Sequence, residues 1–318
     1  MSFYNRKNVV VTGAAGLIGH SVVNKLLVEG AYVKAILHSN SNRTFDCYHP
    51  NLTIEHRDLM NIESCGAAVK DMDIVINLAA YLIGALRQKE HPTSLIRNNL
   101  TLSINMIDAA CQEGVRVFGY VGSSTMYPEA GYAIAEYEAF RGDPSKAYEG
   151  IGWVWRYCEK ACSYFHNVTN TKFALIRTSV AYGPYDNFSS EKRHVIPDLI
   201  VKAHNKTDPF VVWGDGNQIR DFVYVDDMVD GLLLAIEKHP YADAINIAAG
   251  RGTSIKELVK IILERSGYMP SLVFDTNKPI AVQHRILNIR KAKTVLNWQP
   301  STSLADGIEK TIEWYKSI

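Results

Sequence analysis

Three glycines, Gly13, Gly16 and Gly19, follow an apolar run at residues 9–11 and open a segment rich in apolar residues at helical spacing. Glycines at this spacing let the backbone turn tightly and approach a pyrophosphate, whose charge the N-terminus of the following helix stabilises. Strand, turn and helix fit within about 20 residues, as in dinucleotide-binding folds. The spacing therefore predicts a dinucleotide site near the start of the chain.

Small and polar residues also follow later strands of the same predicted sheet. Asp58 and Leu59 follow the third strand, residues 77–80 end the fourth, and residues 122–127 end the fifth. Open α/β sheets bind ligands beyond the carboxyl ends of their strands. We therefore expect these segments to line one site.

Five further segments carry a family resemblance: VGSSTMYP at 121–128, YGPYDNF at 182–188, RHVIPDL at 193–199, WGDG at 213–216 and RDFVYVDD at 220–227. With the glycine turn, they resemble the extended short-chain dehydrogenase/reductase family of the NAD-dependent epimerase/dehydratase type. That family mostly remodels nucleotide-linked sugars. The resemblance covers essentially the whole chain and is greatest to the GDP-L-fucose synthase-like branch of epimerase/reductases.

The resemblance implies roles for individual residues. Ser123 would hydrogen-bond to the reacting sugar hydroxyl or carbonyl, and Arg220 would hold the nucleotide diphosphate. His194 matches an acid/base for epimerisation beside a 4-keto group, a role that suits an imidazole near neutral pH. Thr125 stands where the fucose synthase-like branch has a cysteine base. The other substrate-binding positions are Ser124, Asn187, Arg193, Val195, Lys202 and Trp213, and those for the cofactor are Gly13, Ala15, Gly16, Leu17, Ile18, Gly19, Asp58, Leu59, Leu78, Ala79, Ala80 and Ser123.

One departure from the family pattern concerns its Tyr-x-x-x-Lys motif. In this chain Ile151 occupies the tyrosine position and Trp155 the lysine position. Isoleucine cannot transfer a proton, tryptophan cannot supply a cation, and losing one acid/base group typically costs about 10²–10⁴ in rate. Conventional hydride chemistry is therefore not expected.

Three interpretations follow from this departure. The acid/base role has moved to another group, such as Tyr127, Tyr148 or His194. Alternatively, the protein carries out proton transfer only, as in epimerisation beside an existing 4-keto group. In the third interpretation it is catalytically inactive and binds a nucleotide, a nucleotide sugar or a partner enzyme. We expect an epimerase-like enzyme acting on a nucleotide-linked sugar, GDP-linked by the branch resemblance, with an inactive binding protein as the alternative.

The end of the second strand bears on the choice between NAD and NADP. Residues 35–40 lack the acidic residue that binds the ribose 2′-hydroxyl of NAD. His38 and Arg43 could accommodate the 2′-phosphate of NADP. The sequence therefore favours NADP and leaves NAD open.

Apolar strands alternate with helical patterns through the first half of the chain. Strands are predicted at 8–12, 32–37, 52–55, 73–78, 116–122 and 173–178, and helices near 17–29, 61–70, 93–113 and 150–168. This alternation predicts an α/β fold with a Rossmann-type, doubly wound parallel sheet and a smaller, discontinuous C-terminal substrate lobe. The dinucleotide-binding domain is assigned to 1–178 plus 221–250, and the nucleotide-sugar lobe to 179–220 plus 251–318.

Composition limits the partners and the compartment. The 318 residues carry a net charge of +1 and are 47% hydrophobic, which argues against nucleic acid or an anionic membrane as partner. The first residues lack an apolar leader, and the five cysteines lack metal-ligand spacing. We expect no metal, reduced thiols and a cytoplasmic location. The family further implies a homodimer formed by helices 93–113 and 150–168. The candidate contacts are Leu100, Ile104, Ile107, Trp153, Tyr157 and Tyr164, about half of which burial inside the monomer would explain equally well.

Overall fold

The computed structural model describes residues 2–39, 48–81, 92–188, 193–278 and 280–318. The strands in these residues are β1 (Asn8–Thr12), β2 (Tyr32–His38), β3 (Leu52–Arg57), β4 (Ile74–Asn77), β5 (Val117–Ser123), β6 (Ala133–Ile134), β7 (Lys172–Thr178), β8 (Val180–Tyr182), β9 (Phe210–Trp213), β10 (Ile219–Arg220), β11 (Phe222–Tyr224), β12 (Ile245–Ile247), β13 (Thr253–Ser254), β14 (Leu272–Asp275) and β15 (His284–Leu287). The helices are α1 (Leu17–Val28), α2 (Ile62–Val69), α3 (Pro92–Gln112), α4 (Glu149–Val168), α5 (Val195–His204), α6 (Val225–Lys238), α7 (Ile255–Ser266) and α8 (Leu304–Ser317).

A parallel sheet forms the centre of the described structure, with seven strands in the order β12-β7-β5-β4-β1-β2-β3. Apolar residues of α1 and α6, such as Leu26 and Leu232, are buried in the cluster on one face of the sheet. Residues of α2, α3 and α4, such as Ile107 and Cys158, belong to the cluster on the other face. Strands covered on both faces read as continuous apolar runs. The structure thus confirms the Rossmann-type, doubly wound α/β fold.

The strands and helices predicted in the first half agree with the structure to within two or three residues at each end. The pattern after residue 177 also predicts that a strand and helix at 223–237 and a segment at 244–248 return to the main sheet. The strand Ile245–Ile247 does so beside β7, whereas the prediction for the strand near 223 is wrong. Phe222–Tyr224 instead pairs with Val180–Tyr182 in a separate two-stranded sheet. The edge beside β7 is already occupied, because Ile245 of β12 is in register with Ile176.

The remaining elements surround a third apolar cluster made by α5, α7, α8 and short strands, which we call the second lobe. Two of its helices begin at a capping serine: Ser254 Oγ accepts from the N–H of Glu257, and Ser303 Oγ from that of Asp306. Such caps satisfy N–H groups that have no partner within the helix. Strands β13, β10, β15 and β6 form a four-stranded sheet in that order, which connects the second lobe to residues 133–134.

The buried carboxylate of Asp221 joins several of these segments. Its Oδ1 accepts hydrogen bonds from Ser179 Oγ (3.1 Å) and the N–H of Ala249 (2.8 Å). Its Oδ2 accepts from the N–H groups of Gly250 and Leu287, both at 3.1 Å. One side chain, 1% exposed, therefore holds together the segment after β7, the end of β12 and strand β15.

The candidate dimer contacts differ in exposure. Trp153, Tyr157 and Tyr164 of α4 are 47%, 60% and 64% exposed. Ile107 is completely buried in the core, so its prediction as a surface contact is wrong: its side chain faces the sheet. No helix in the described part of the chain is long and apolar enough to cross a membrane.

Asp221→Asn is expected to lower the free energy of unfolding by about 2–4 kcal/mol, because an amide NH₂ would face N–H groups that now donate to a carboxylate oxygen. Asp226→Asn is the control: this carboxylate is exposed in the first turn of α6, and its loss should cost less than about 1 kcal/mol. Urea unfolding followed by circular dichroism measures both. Equal effects would contradict the role assigned to Asp221.

Candidate active site

One buried hydroxyl holds the loop between β1 and α1 against the end of β4. Thr12 Oγ1 donates to Asn77 Oδ1 (2.7 Å) and accepts from the N–H groups of Leu78 (3.1 Å) and Ala79 (3.0 Å). These hydrogen bonds fix the carboxyl ends of two neighbouring strands side by side. The glycine turn and residues 78–80 therefore lie at the same edge of the sheet.

Gly13 and Gly19 leave no space for a side chain. Gly13 has φ +61°, and a Cβ on it would lie 2.7 Å from the carbonyl oxygen of Leu78. A Cβ on Gly19 would lie 2.3 Å from the carbonyl oxygen of Gly13. Gly16 is the N-cap of α1, where no described side chain caps the helix. The partly exposed first turn, with Leu17 and Ile18, thus presents the positive end of the helix to an anion.

The neighbouring strands β2 and β3 bring His38 and Asp58 together, because His38 is in register with Arg57. Both side chains are exposed, and Asp58 Oδ1 accepts from the N–H of Met60 (2.9 Å). Leu59 is only 5% exposed and belongs to the core. Arg43 lies outside the described residues.

Hydroxyl groups follow the end of β5, beside β4. Ser123 is partly exposed, and its Oγ accepts from the N–H of Thr125 (3.3 Å). Ser124 is 6% exposed. Thr125 Oγ1 is buried without a hydrogen-bond partner in the described ranges. Of the three hydroxyls, that of Ser123 is the most accessible to a ligand at this edge.

Ile151 and Trp155 lie one turn apart on α4 and are 4% and 6% exposed. Both belong to the apolar cluster between α4, α3 and the sheet. The start of α4 lies tightly against the turn after β5, since a Cβ on Gly152 would be 2.9 Å from the carbonyl oxygen of Thr125. Apolar packing therefore closes both positions at which the family resemblance implies a tyrosine and a lysine.

Tyr127 and Tyr148, the two phenols considered as replacements, differ in accessibility. Tyr127 is completely buried; its hydroxyl donates to Asn246 Oδ1 (2.6 Å) and accepts from Arg177 (2.8 Å). Burial raises the pKa of Tyr127 well above its usual range. The Tyr127 hydroxyl is thus occupied by structural contacts, whereas Tyr148, the N-cap of α4, is half-buried.

His194 is the N-cap of α5, and its side chain is 58% exposed. Its Nδ1 lies 3.4 Å from Oδ1 of Asp186, which is 9% exposed. The hydrogen bond to Asp186 raises the pKa of His194, and burial offsets part of that rise. The pair therefore offers an imidazole that Asp186 orients and whose protonated form Asp186 favours.

Two predicted substrate-binding cations are engaged within the second lobe. Asp198 of α5 lies 3.4 Å from Arg193 Nε and 2.8 Å from Lys202 Nζ. Arg193 also donates to the carbonyl of Phe188, and Lys202 to that of Val211. The remaining predicted positions are the partly exposed Asn187 and Val195 and the half-exposed Trp213 at the end of β9.

Arg220 and Arg285 form the most unusual charge arrangement of the site. They are directly in register on the neighbouring strands β10 and β15. Their hydrogen-bond acceptors among the described residues are backbone carbonyls: Ile219 and Val282 for Arg220, Tyr127 and Pro128 for Arg285. Arg285 Nη2 is buried without a partner within the described ranges.

Burial lowers the pKa of both Arg220 and Arg285, and the Tyr148 phenol partly offsets the shift in each. The charge of Arg220 lowers the pKa of Arg285 further. Both guanidinium groups nevertheless stay charged at neutral pH. Like charges directly opposite each other on neighbouring strands destabilise a sheet. Two such cations beside Tyr148 are the arrangement expected around a bound polyanion.

Sequence reasoning missed Arg285 and the position of Tyr148 beside the arginines. Arg285 lies in a short strand of two polar and two apolar residues, which gives no local signal of a site. It meets Arg220 only through a pairing of strands that are distant in sequence.

Comparisons with known proteins identify the family of the chain. The model of the NAD dependent epimerase/dehydratase family matches residues 9–248. GDP-L-fucose synthase 1 of Arabidopsis thaliana is 28% identical over 96% of this chain and 92% of that protein. GDP-mannose 3,5-epimerase 1 of Oryza sativa subsp. indica is 29% identical over 97% of this chain and 81% of that protein. The crystal structure of UDP-glucose 4-epimerase from Thermotoga maritima with UDP-glucose superposes with a TM-score of 0.88, at 26% identity, over 98% of this chain and 99% of that one.

Asp186→Asn is expected to lower the pKa of His194 toward the ordinary value of about 6.5, because the hydrogen bond that holds the proton loses its charge. The stabilisation from this pair is present below the unfolded-state pKa and is lost as pH rises through the folded-state pKa. An NMR titration of the histidine ring resonances, assigned with His194→Gln, measures the shift. Asp198→Asn is the control, because Asp198 binds Arg193 and Lys202 instead; an equal shift there would contradict the assignment.

Proposed function

Because the chain belongs to the NAD dependent epimerase/dehydratase family, we propose that it modifies the sugar of a nucleotide-linked sugar by proton transfer, in an epimerase-like reaction. The relatives named above carry a nucleotide-linked sugar in their names, and the chain spans more than four-fifths of each. Guanosine diphosphate is the first choice of nucleotide, since both curated relatives carry it in their names.

The in-register pair of Arg220 and Arg285 is the observation that carries this proposal. A nucleoside diphosphate brings two phosphates, and planar guanidinium groups match phosphate oxygens in geometry and charge. Tyr148 adds a hydroxyl beside the pair. Trp213, half-exposed at the end of β9, and the residues before and within α5 would contact the rest of the nucleotide.

The proton-transfer step requires a base near a carbon made acidic by an adjacent carbonyl. His194, oriented by Asp186, is the candidate base, and the Ser123 hydroxyl would donate a hydrogen bond to the keto oxygen. A proton leaves the carbon for the neutral imidazole of His194, which later releases it to water. Water on the opposite face of the sugar returns a proton to the carbon, and the configuration is inverted. No step requires a group at position 151 or 155.

A catalytically inactive binding protein of the same fold is the second candidate function. The burial of Ile151 and Trp155 favours this candidate, because the chain keeps its predicted binding residues but lacks the tyrosine and lysine of the family motif. Both candidates predict nucleotide-sugar binding, and turnover or isotope exchange distinguishes them.

NAD or NADP is the cofactor of the proposed site, and the residues present fit its adenosine diphosphate half. The bare cradle at Gly13 and Gly19 and the uncapped start of α1 suit a pyrophosphate. A bound dinucleotide would supply hydride chemistry, and the residues of this chain that fit it bind the adenosine diphosphate half. The exposed His38 and the lack of an acid at the end of β2 favour NADP over NAD.

We further propose a homodimer formed through α3 and α4. The exposed aromatic residues Trp153, Tyr157 and Tyr164 support such a surface. A cytoplasmic location is consistent with the free thiols of Cys65, Cys111, Cys158 and Cys162.

Incubation in deuterium oxide with a 4-keto nucleotide sugar is expected to place deuterium on the carbon beside the ketone, as followed by NMR. The exchange rate should rise with pH through the His194 pKa, because only the neutral imidazole accepts a proton. His194→Gln should slow exchange by about 10²–10⁴. His204→Gln, at the other end of α5, is the control. Binding without exchange would favour the inactive protein, and exchange that survives His194→Gln would assign the base elsewhere.

Arg220→Gln and Arg285→Gln are each expected to weaken GDP binding by about 10–100-fold, because each removes charge-assisted hydrogen bonds to phosphate. Isothermal titration at two salt concentrations measures the loss and its electrostatic origin. Arg290→Gln, an exposed arginine beyond β15, is the matched control. Unchanged affinity in both variants would contradict the diphosphate site; circular dichroism verifies their folding.

A further inference from the structure

We infer that this protein binds the adenosine diphosphate half of a dinucleotide and leaves the nicotinamide half unheld, so that the dinucleotide is a ligand and not a hydride carrier. The inference rests on the dinucleotide site of the proposed function and restricts it to one end. The two ends of that site, the glycine turn before α1 and positions 151 and 155 of α4, differ in how much surface they expose to a ligand.

The adenosine diphosphate end consists of accessible backbone. Ala15, Gly16, Leu17 and Ile18 are all partly exposed, and the glycines on either side carry no side chain that could cover them. A pyrophosphate at this end needs backbone N–H groups and the positive end of α1. No residue that departs from the family pattern is needed there.

The other end, formed by α4, offers almost no surface to a ligand. Ile151 and Trp155 are 4% and 6% exposed, and their spacing places both on one face of the helix. An isoleucine side chain has no hydrogen-bonding group. An indole has one neutral donor where a lysine ammonium has three charged ones. The ribose of a nicotinamide riboside would therefore find no charged partner here.

The cations of α4 do not replace the missing lysine. Arg156 donates from Nε to the carbonyl of Met126 (2.9 Å) and from Nη1 to that of Gly142 (2.7 Å), while its Nη2 is buried without a hydrogen-bond partner in the described part of the chain. Lys160 is exposed, and its Nζ lies 4.5 Å from the centre of the Phe140 ring. Arg177 of β7 is held by Glu159 at 2.6 Å. Each of these charges already has a partner away from positions 151 and 155.

Loss of charge-assisted hydrogen bonds to a ribose removes about 10–100-fold in affinity. NADH should then bind this protein no more tightly than ADP, with the nicotinamide ring in water.

Titration of the full-length protein with ADP and with NADH, by calorimetry and by NADH fluorescence, tests the inference. The dissociation constants of ADP and NADH are expected to agree to within about threefold, which is well below a tenfold difference. The anisotropy of NADH should rise on binding, because its tumbling slows. Its emission maximum should stay where it is in water, because the ring remains solvated.

Trp155→Lys is expected to tighten NADH binding by about tenfold or more and to leave ADP binding unchanged, since one ammonium would regain the ribose hydroxyls. Val168→Lys is the matched control on the same helix, because that side chain is 57% exposed and lies at the C-terminal end of α4, far from Trp155. Should Trp155→Lys fail to fold, the comparison of ADP with NADH on the unaltered chain still decides the question.

The outcomes separate this inference from the function on which it rests. NADH binding at least about tenfold tighter than ADP, or a blue-shifted bound emission, would overturn the inference and leave the dinucleotide site intact. Absence of binding by ADP, by NADH and by NADPH would overturn the dinucleotide site as well. Deuterium exchange into a 4-keto sugar tests the sugar chemistry independently of either result.

Discussion

The buried carboxylate of Asp221 is the interaction on which the candidate site depends. It follows Arg220 in the chain, and its Oδ2 accepts from the N–H of Leu287, two residues beyond Arg285. The same carboxylate binds the N–H of Ala249 after β12, the last strand of the main sheet. The relative positions of the two arginines and the main sheet are therefore set by one acceptor with good hydrogen-bond geometry.

The two ends of the candidate site follow different physical rules. The glycine turn has the bare backbone and positive φ that proteins keep only where a close approach requires them. The α4 end obeys the ordinary rules of a core, with large apolar side chains packed out of water. A partly exposed stretch of bare backbone thus lies at one end, and a part of the hydrophobic interior at the other.

Local patterns made most of the fold predictable. The apolar runs in the first half and the glycine turn each lie within a short window, so periodicity alone located them. Prediction failed where distant segments decide the outcome. Whether Phe222–Tyr224 joins the main sheet depends on which strand occupies the edge beside β7. Arg285 becomes a candidate site residue only because β15 pairs with the strand that carries Arg220. Ile107 was misassigned because a helical face alone does not distinguish contact with a sheet from contact with another subunit.

The paired arginines make the folded state responsive to its surroundings. Two cations in register raise the free energy of the folded chain whenever no anion lies between them. Any species that binds there in the folded state alone stabilises it by mass action, by an amount that grows with the logarithm of its concentration. If the pair binds phosphate as proposed, the thermal stability of the protein would rise with the concentration of phosphate-bearing solutes around it. Such solutes would then influence how long the chain survives before it unfolds.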